Sequence, residues 1–110
     1  MHQGEIWELY LDPTKGSKQS GRRPAVIISG NLLNQHLQVV IVCPLTTQVK
    51  NYKGNVVLEP NEQNGLTTQS EILTFHIRSV SKTRLKKKIG KIENDQINQV
   101  KRCLDDILRY

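Results

Sequence analysis

Two apolar runs, PAVIIS at 24–29 and LQVVIVCPL at 37–45, leave this chain few ways to fold. A strand with one wet face alternates apolar and polar residues. Near-continuous runs rich in β-branched side chains instead read as strands covered on both faces, and these two form the centre of the core. Upstream, EIWELYL at 5–11 alternates so that Trp7, Leu9 and Leu11 share a face, and DPTKGSKQSG reads as a mobile loop. Downstream, Tyr52 to Gly54 turn into NVVLEP, and the polar NEQNG cluster turns again toward a strand from about Ser70 to Val80. Pro44 and Pro60 are expected at strand ends or edges, because proline cannot donate to a central ladder. The period changes in ENDQINQVKRCLDDILRY, where Ile97, Val100, Leu104, Ile107 and Leu108 fall at helical spacing and Asn94 or Asp95 can cap the start. Short strands at turn-punctuated intervals with one terminal amphipathic helix predict a mainly β, compact SH3-like barrel occupying 1–110 as a single domain. Trp7, Phe75 and the apolar strand residues are expected in its core.

A chain of 110 residues buries roughly 65% of its unfolded surface and needs no staple. Cys43 and Cys103 lie far apart, with neither a CxxC pair nor Cys/His ligand spacing, which argues for reduced thiols in a cytoplasmic protein and against a metal site. The start, MHQGEIWELYL, lacks the pattern of a secretory signal, and no run approaches the ~18 apolar residues of a membrane span. Sixteen Lys and Arg against ten Asp and Glu give a formal net charge of +6 and a pI near 9.6. That excess favours polyanionic partners, nucleic acid first and an acidic polypeptide second. The run KTRLKKKIGK at 82–91 carries six of the cations and no acid. It reads either as a solvated face or as a surface that steers a phosphate chain.

Three segments carry candidate chemistry. In Arg22-Arg23-Pro24 the proline biases Arg23 toward extended geometry where a loop enters a strand. The arginine fork matches phosphate oxygens and stays protonated, so it suits phosphate clamping and not proton abstraction. In PLTTQ at 44–48, Thr46 and Thr47 follow a buried strand, where hydroxyls can orient a phosphate or sugar. In SEILTFHIRSVSK at 70–82, strand alternation sets Leu73, Phe75 and Ile77 on one face and Thr74, His76 and Arg78 on the other. A His beside an Arg on a polar face suits acid–base work near neutral pH.

GEIW, DPTKGSKQSGRRPAVIIS, VCPLTTQ and HIRSVSK occur in an order and spacing that resembles the MazF/PemK family of toxin endoribonucleases from toxin–antitoxin systems. The resemblance covers nearly the whole chain. It implies an SH3-like barrel, a homodimer with RNA bound across the dimer face, and sequence-specific cleavage of single-stranded RNA with no metal or other cofactor. It also implies an antitoxin partner whose flexible acidic tail occupies the basic groove. By position, the arginine before the proline is Arg23 and the threonine of the TxQ segment is Thr46, and these are the implied catalytic residues. Lys15, Lys18, Gln19, Arg22, Thr47, Gln48, His76 and Arg78 are candidate RNA contacts.

The chain departs from the family pattern at two positions. Lys18 stands where members often carry an acid, and Phe75 stands where several carry Asp or Glu with catalytic work. Either Arg23 and Thr46 suffice with help from the substrate, or His76, Glu71 or another group transfers protons. Three other classes are open at this point: a non-catalytic RNA-binding module, a gyrase-inhibiting toxin on a related barrel, like the CcdB toxins, and a structural interaction domain.

Overall fold

The computed structural model describes residues 1–10 and 21–110. Leu11, Lys15, Lys18 and Gln19, and the loop expected around them, lie outside these residues. The described elements run β1 (Glu5–Leu9), β2 (Arg23–Ile27), α1 (Asn31–His36), β3 (Val39–Thr46), β4 (Val57–Leu58), β5 (Ser70–Ile72), β6 (Arg78–Ser81), β7 (Leu85–Lys91) and α2 (Asn94–Arg109). All described pairings are antiparallel, and the sheet order is β4-β5-β3-β2-β1-β7, with β6 also paired to β3. This is the mainly β half-barrel with a C-terminal helix that the sequence predicts.

The two apolar runs do lie between two cores. Val26, Cys43 and Leu45 join Ile6, Leu58, Ile72 and Val100 on one side of the sheet. Their neighbours Ala25, Ile27, Val40 and Val42 join Leu9 and Leu85 on the other, with Trp7 packed partly buried against them. Each such aliphatic side chain contributes about 1.5–3 kcal/mol when fully withdrawn from water. Losing either face would therefore cost more than a typical domain's whole stability of about 5–15 kcal/mol.

The strand expected from Ser70 to Val80 is broken in two. β3 pairs with β6 as far as Val42 opposite Arg78, and with β5 from Leu45 opposite Ile72. Pro44 therefore lies inside β3, where the strand changes partners and the missing N–H is not called on. Across that gap the chain leaves the sheet through a 3-10 turn, Thr74–His76, and only the Leu73 amide reaches back, to the Pro44 carbonyl at 2.9 Å. A helical turn has a period near three, so the expected alternation fails here. Thr74 turns inward, where its hydroxyl donates to Asn55 Oδ1 at 2.6 Å and meets Cys103 Sγ at 3.0 Å. Phe75, expected in the core, is 48% exposed and packs edge-on to Tyr52 and His76.

Helix α2 seats Val100 and Cys103 in the core, with Ile97 and Leu104 partly buried against it. Its cap is Glu93, one residue before the expected Asn94 or Asp95, because Gln96 Oε1 reaches back to accept from the Glu93 amide at 2.9 Å. Ile107 and Leu108, at the end of the helix, remain exposed. The short helix α1 was not expected from its sequence. It is anchored by buried Asn34, whose Nδ2 donates to the Ser29 carbonyl at 2.9 Å.

Candidate functional site

The register of the two central strands builds the site. β2 and β3 run antiparallel with Ala25 opposite Pro44. The paired stretch ends there, and two residues further along each strand stand Arg23, at the start of β2, and Thr46, at the end of β3. Arg23, Thr46, Thr47 and Gln48 there line a cavity of about 370 Å³, with Pro24 and Ser70. The Thr46 Oγ1 accepts a hydrogen bond from the Gln48 amide at 3.1 Å, so its own proton is left to donate outward. Arg22 is turned elsewhere: its Nη1 lies 3.6 Å from Glu8 Oε1 and its guanidinium 6.0 Å from the Tyr10 ring centroid. The adjacent arginines thus differ in setting, one facing the cavity and one held on the β1 side.

His76 and Arg78 do not line this cavity. His76 meets Phe75 edge-on, with ring centroids 4.7 Å apart, and Arg78 lies on β6 opposite Val42. Lys15, Lys18 and Gln19 fall outside the described residues. Neither cysteine is disposed for nucleophilic chemistry. Both are buried and unpaired, and burial, with a smaller contribution from Cys103, pushes the Cys43 thiol up to about 12. Among the described residues, no group of three or more His, Cys, Asp or Glu side chains is placed to hold a metal ion. No described helix is long and apolar enough to cross a membrane.

Glu71, one of the candidate proton-transfer groups, has a different part. It pairs with Thr46 across β3 and β5 and is fully buried. Its Oε1 accepts from the amides of Lys50 at 2.7 Å and Asn51 at 3.0 Å. Its Oε2 accepts from the Tyr52 amide at 2.9 Å and from Asn55 Nδ2 at 3.0 Å. Burial alone would raise its pKa, but these four donors outweigh burial and hold the carboxylate below its usual range. A carboxylate so occupied anchors the segment after Thr46–Gln48, including Asn51 at φ 57°, and has no oxygen free for proton abstraction. The sequence offered Glu71 as one polar strand position among several, with no sign of the donors converging on it.

A second cavity of about 350 Å³ adjoins the first and shares Pro24, Thr47 and Ser70 with it. Glu8, Thr67, Thr68 and Lys87 line it, and sequence reasoning singled out none of them individually. The only signal was the basic run, which does not reveal which of its lysines faces the site.

Residues 2–108 match the family model described as PemK-like, MazF-like toxin of type II toxin–antitoxin system. Endoribonuclease MazF9 of Mycobacterium tuberculosis is 30% identical over 109 residues, which cover 94% of this chain and 92% of that protein. The endoribonuclease toxin MazF of Escherichia coli is 35% identical over 81 residues, covering 74% of this chain and 73% of that one. A chain in the crystal structure of MazE-MazF (Form-III) from Deinococcus radiodurans superposes with a TM-score of 0.80 at 26% identity, covering 98% of this chain and 95% of that one. With the family model spanning almost the whole sequence, the chain belongs to the PemK-like, MazF-like toxins of type II toxin–antitoxin systems.

Proposed function

We propose that this protein is the toxin of a type II pair and an endoribonuclease that cleaves single-stranded RNA at short recognition sequences, without a metal ion. The observation that carries the reading is the meeting of Arg23 and Thr46 in one cavity at the end of β2 and β3. In this reaction the RNA supplies its own nucleophile. The 2′-oxygen bonds to the neighbouring phosphorus, the bond from phosphorus to the 5′-oxygen breaks, the 2′-hydroxyl loses its proton and the departing oxygen gains one. The protein has to align the attack and hold the extra negative charge. Arg23 spans two phosphate oxygens with its fork, and the Thr46 hydroxyl donates to the phosphate or fixes the 2′-hydroxyl. Unpaired RNA suits the site because its bases are free to be read.

A single 2′-deoxynucleotide immediately 5′ of the broken bond should abolish cleavage there and leave binding within about fivefold, since one hydroxyl contributes only about 1 kcal/mol. Unmodified RNA should yield 2′,3′-cyclic phosphate and 5′-hydroxyl ends equally well in EDTA. Cleavage at the deoxy site, or 5′-phosphate ends, would mean that water or a protein group attacks.

Family membership supplies an antitoxin partner, and we place its flexible acidic tail in the same basic groove as the RNA. The uncovered apolar residues Phe75, Ile77, Ile107 and Leu108 support a homodimer. Sedimentation at micromolar concentration should give twice the chain mass, and a monomer there would overturn the dimer.

A further inference from the structure

The cavity beside Arg23 and Thr46 is built with as much care as the cavity that contains them. Its far wall follows the turn at 61–65, where the Asn61 amide donates to Asn64 Oδ1 at 3.1 Å and the Asn64 amide donates to Asn61 Oδ1 at 2.7 Å. That turn lies directly on β7. Gly65 sits at φ +67°, and a Cβ there would stand 2.3 Å from the Ile89 carbonyl oxygen. Gly90 meets the turn from the other side, where a Cβ would be 2.4 Å from the Gln63 oxygen. Only glycines permit this approach, which fixes the wall before any ligand arrives. Exposed Thr67 and Thr68 follow the turn and face the opening.

On the sheet side of the opening, Glu8 on β1 is the cross-strand partner of Lys87 on β7, and both line the cavity. Lys88 also lines the cavity but is committed to Glu5, 3.2 Å from its Oε2, whereas Lys87 has no ion pair among the described residues. Glu8 is the unexpected member. A carboxylate on the wall of a groove that carries a polyanion repels phosphate, so it is tolerated best where it meets a hydrogen-bond donor. Among the described residues its nearest cation, Arg22, stands 3.6 Å away, beyond ordinary hydrogen-bond length.

We infer that this second cavity receives the nucleotide next to the scissile phosphate, with Lys87 and the Thr67 and Thr68 hydroxyls on its phosphate and sugar and Glu8 on the amino group of its base. The inference rests on the cleavage reading above. Cytosine, adenine and guanine offer an exocyclic amine to a carboxylate. Uracil offers one N–H flanked by two carbonyl oxygens, which the second carboxylate oxygen repels. The cavity thereby adds base selection to a site whose first half touches only phosphate and sugar.

The test uses full-length wild type, Glu8→Gln and Lys87→Ala on a single-stranded RNA pool randomised around the cut, with the ends sequenced. Wild type should exclude uracil about tenfold at one position beside the broken bond. Glu8→Gln should relax that one position to about twofold and leave the others unchanged, because the amide both donates and accepts. Lys87→Ala should raise KM several-fold with kcat retained, and should lower the slope of log affinity against log salt by about 0.7. Unchanged base preference in Glu8→Gln would overturn the inference. So would a Lys87→Ala variant that loses binding to polyglutamate while keeping its KM for RNA, since the cavity would then belong to an acidic peptide. If wild type leaves the pool intact, the cleavage reading has failed instead, and anisotropy with oligocytidine and oligouridine decides the subsite. A preference for cytidine that Glu8→Gln removes sustains it, and equal binding of the two overturns it.

Discussion

Arg23→Lys is expected to lower RNA cleavage by about 10²-fold or more while leaving the melting temperature and RNA affinity nearly unchanged. The charge survives the substitution but the planar fork does not, and removing one donor that acts on developing transition-state charge costs about 10²–10³ in rate. The same change at Arg22 alters a half-exposed pair with Glu8 and should cost no more than about fivefold, because exposed ion pairs contribute about 0–1 kcal/mol. Single-turnover kinetics on one defined RNA separates the two variants. Normal cleavage by Arg23→Lys beside a dead Arg22→Lys would shift the assignment by one residue.

Glu71→Ala should produce the largest loss of stability, although Glu71 touches neither cavity. Four donors, the amides of Lys50, Asn51 and Tyr52 and the side-chain amide of Asn55, would lose their acceptor together. A buried donor without a partner costs about 1–3 kcal/mol, and part of that is recovered where the loop opens to water, so a net loss of about 3 kcal/mol is expected. In a domain of this size that lowers the melting temperature by about 15 °C. Acid should reproduce the loss. The folded-state pKa of Glu71 lies below its unfolded value near 4.5, so its stabilisation is complete above that pH and disappears as pH falls through the folded value. Glu5 adds to the same limb. Burial acts against its ionisation, but hydrogen bonds from Trp7, the His2 backbone, Lys88 and His2 bring its pKa to about 2, so its share is lost between about 4.5 and 2. Glu71→Gln keeps the shape and one acceptor oxygen, and thermal melts across pH should show a smaller loss and a flatter acid limb. An unchanged acid limb in this variant would remove Glu71 from that role.

The central strands were legible in the sequence because two-sided burial writes itself as an unbroken apolar run, as in Val39–Cys43. Motif position singled out Arg23 and Thr46, and the ends of β2 and β3 place both on one cavity. What was not legible depended on geometry absent from local pattern. The alternation Leu73, Phe75, Ile77 looked like a strand face, but Pro44 on the directly paired strand β3 lacks the donor that continuous pairing would use. The basic run at 82–91 hides a similar distinction. Lys82 donates to the Asn34 carbonyl, Lys86 lies 5.9 Å from the Tyr10 ring centroid, and of the two lysines that line the second cavity Lys88 pairs with Glu5 while Lys87 has no ion pair among the described residues. Charge counting sees these as equivalent, whereas strand register and partner choice separate them.

The pairing of β1 with β7 sets the order in which the groove can come into being. Glu5 stands opposite Lys91, so the first strand waits for one of the last before its outer edge is covered. Contacts of such long sequence separation form late, because the loop they close must be ordered first. Glu8 and Lys87 stand side by side on those same two strands. A chain emerging from the ribosome therefore carries Arg23 and Thr46 well before β7 has been made, and the cavity beside them is complete only once that strand is in place.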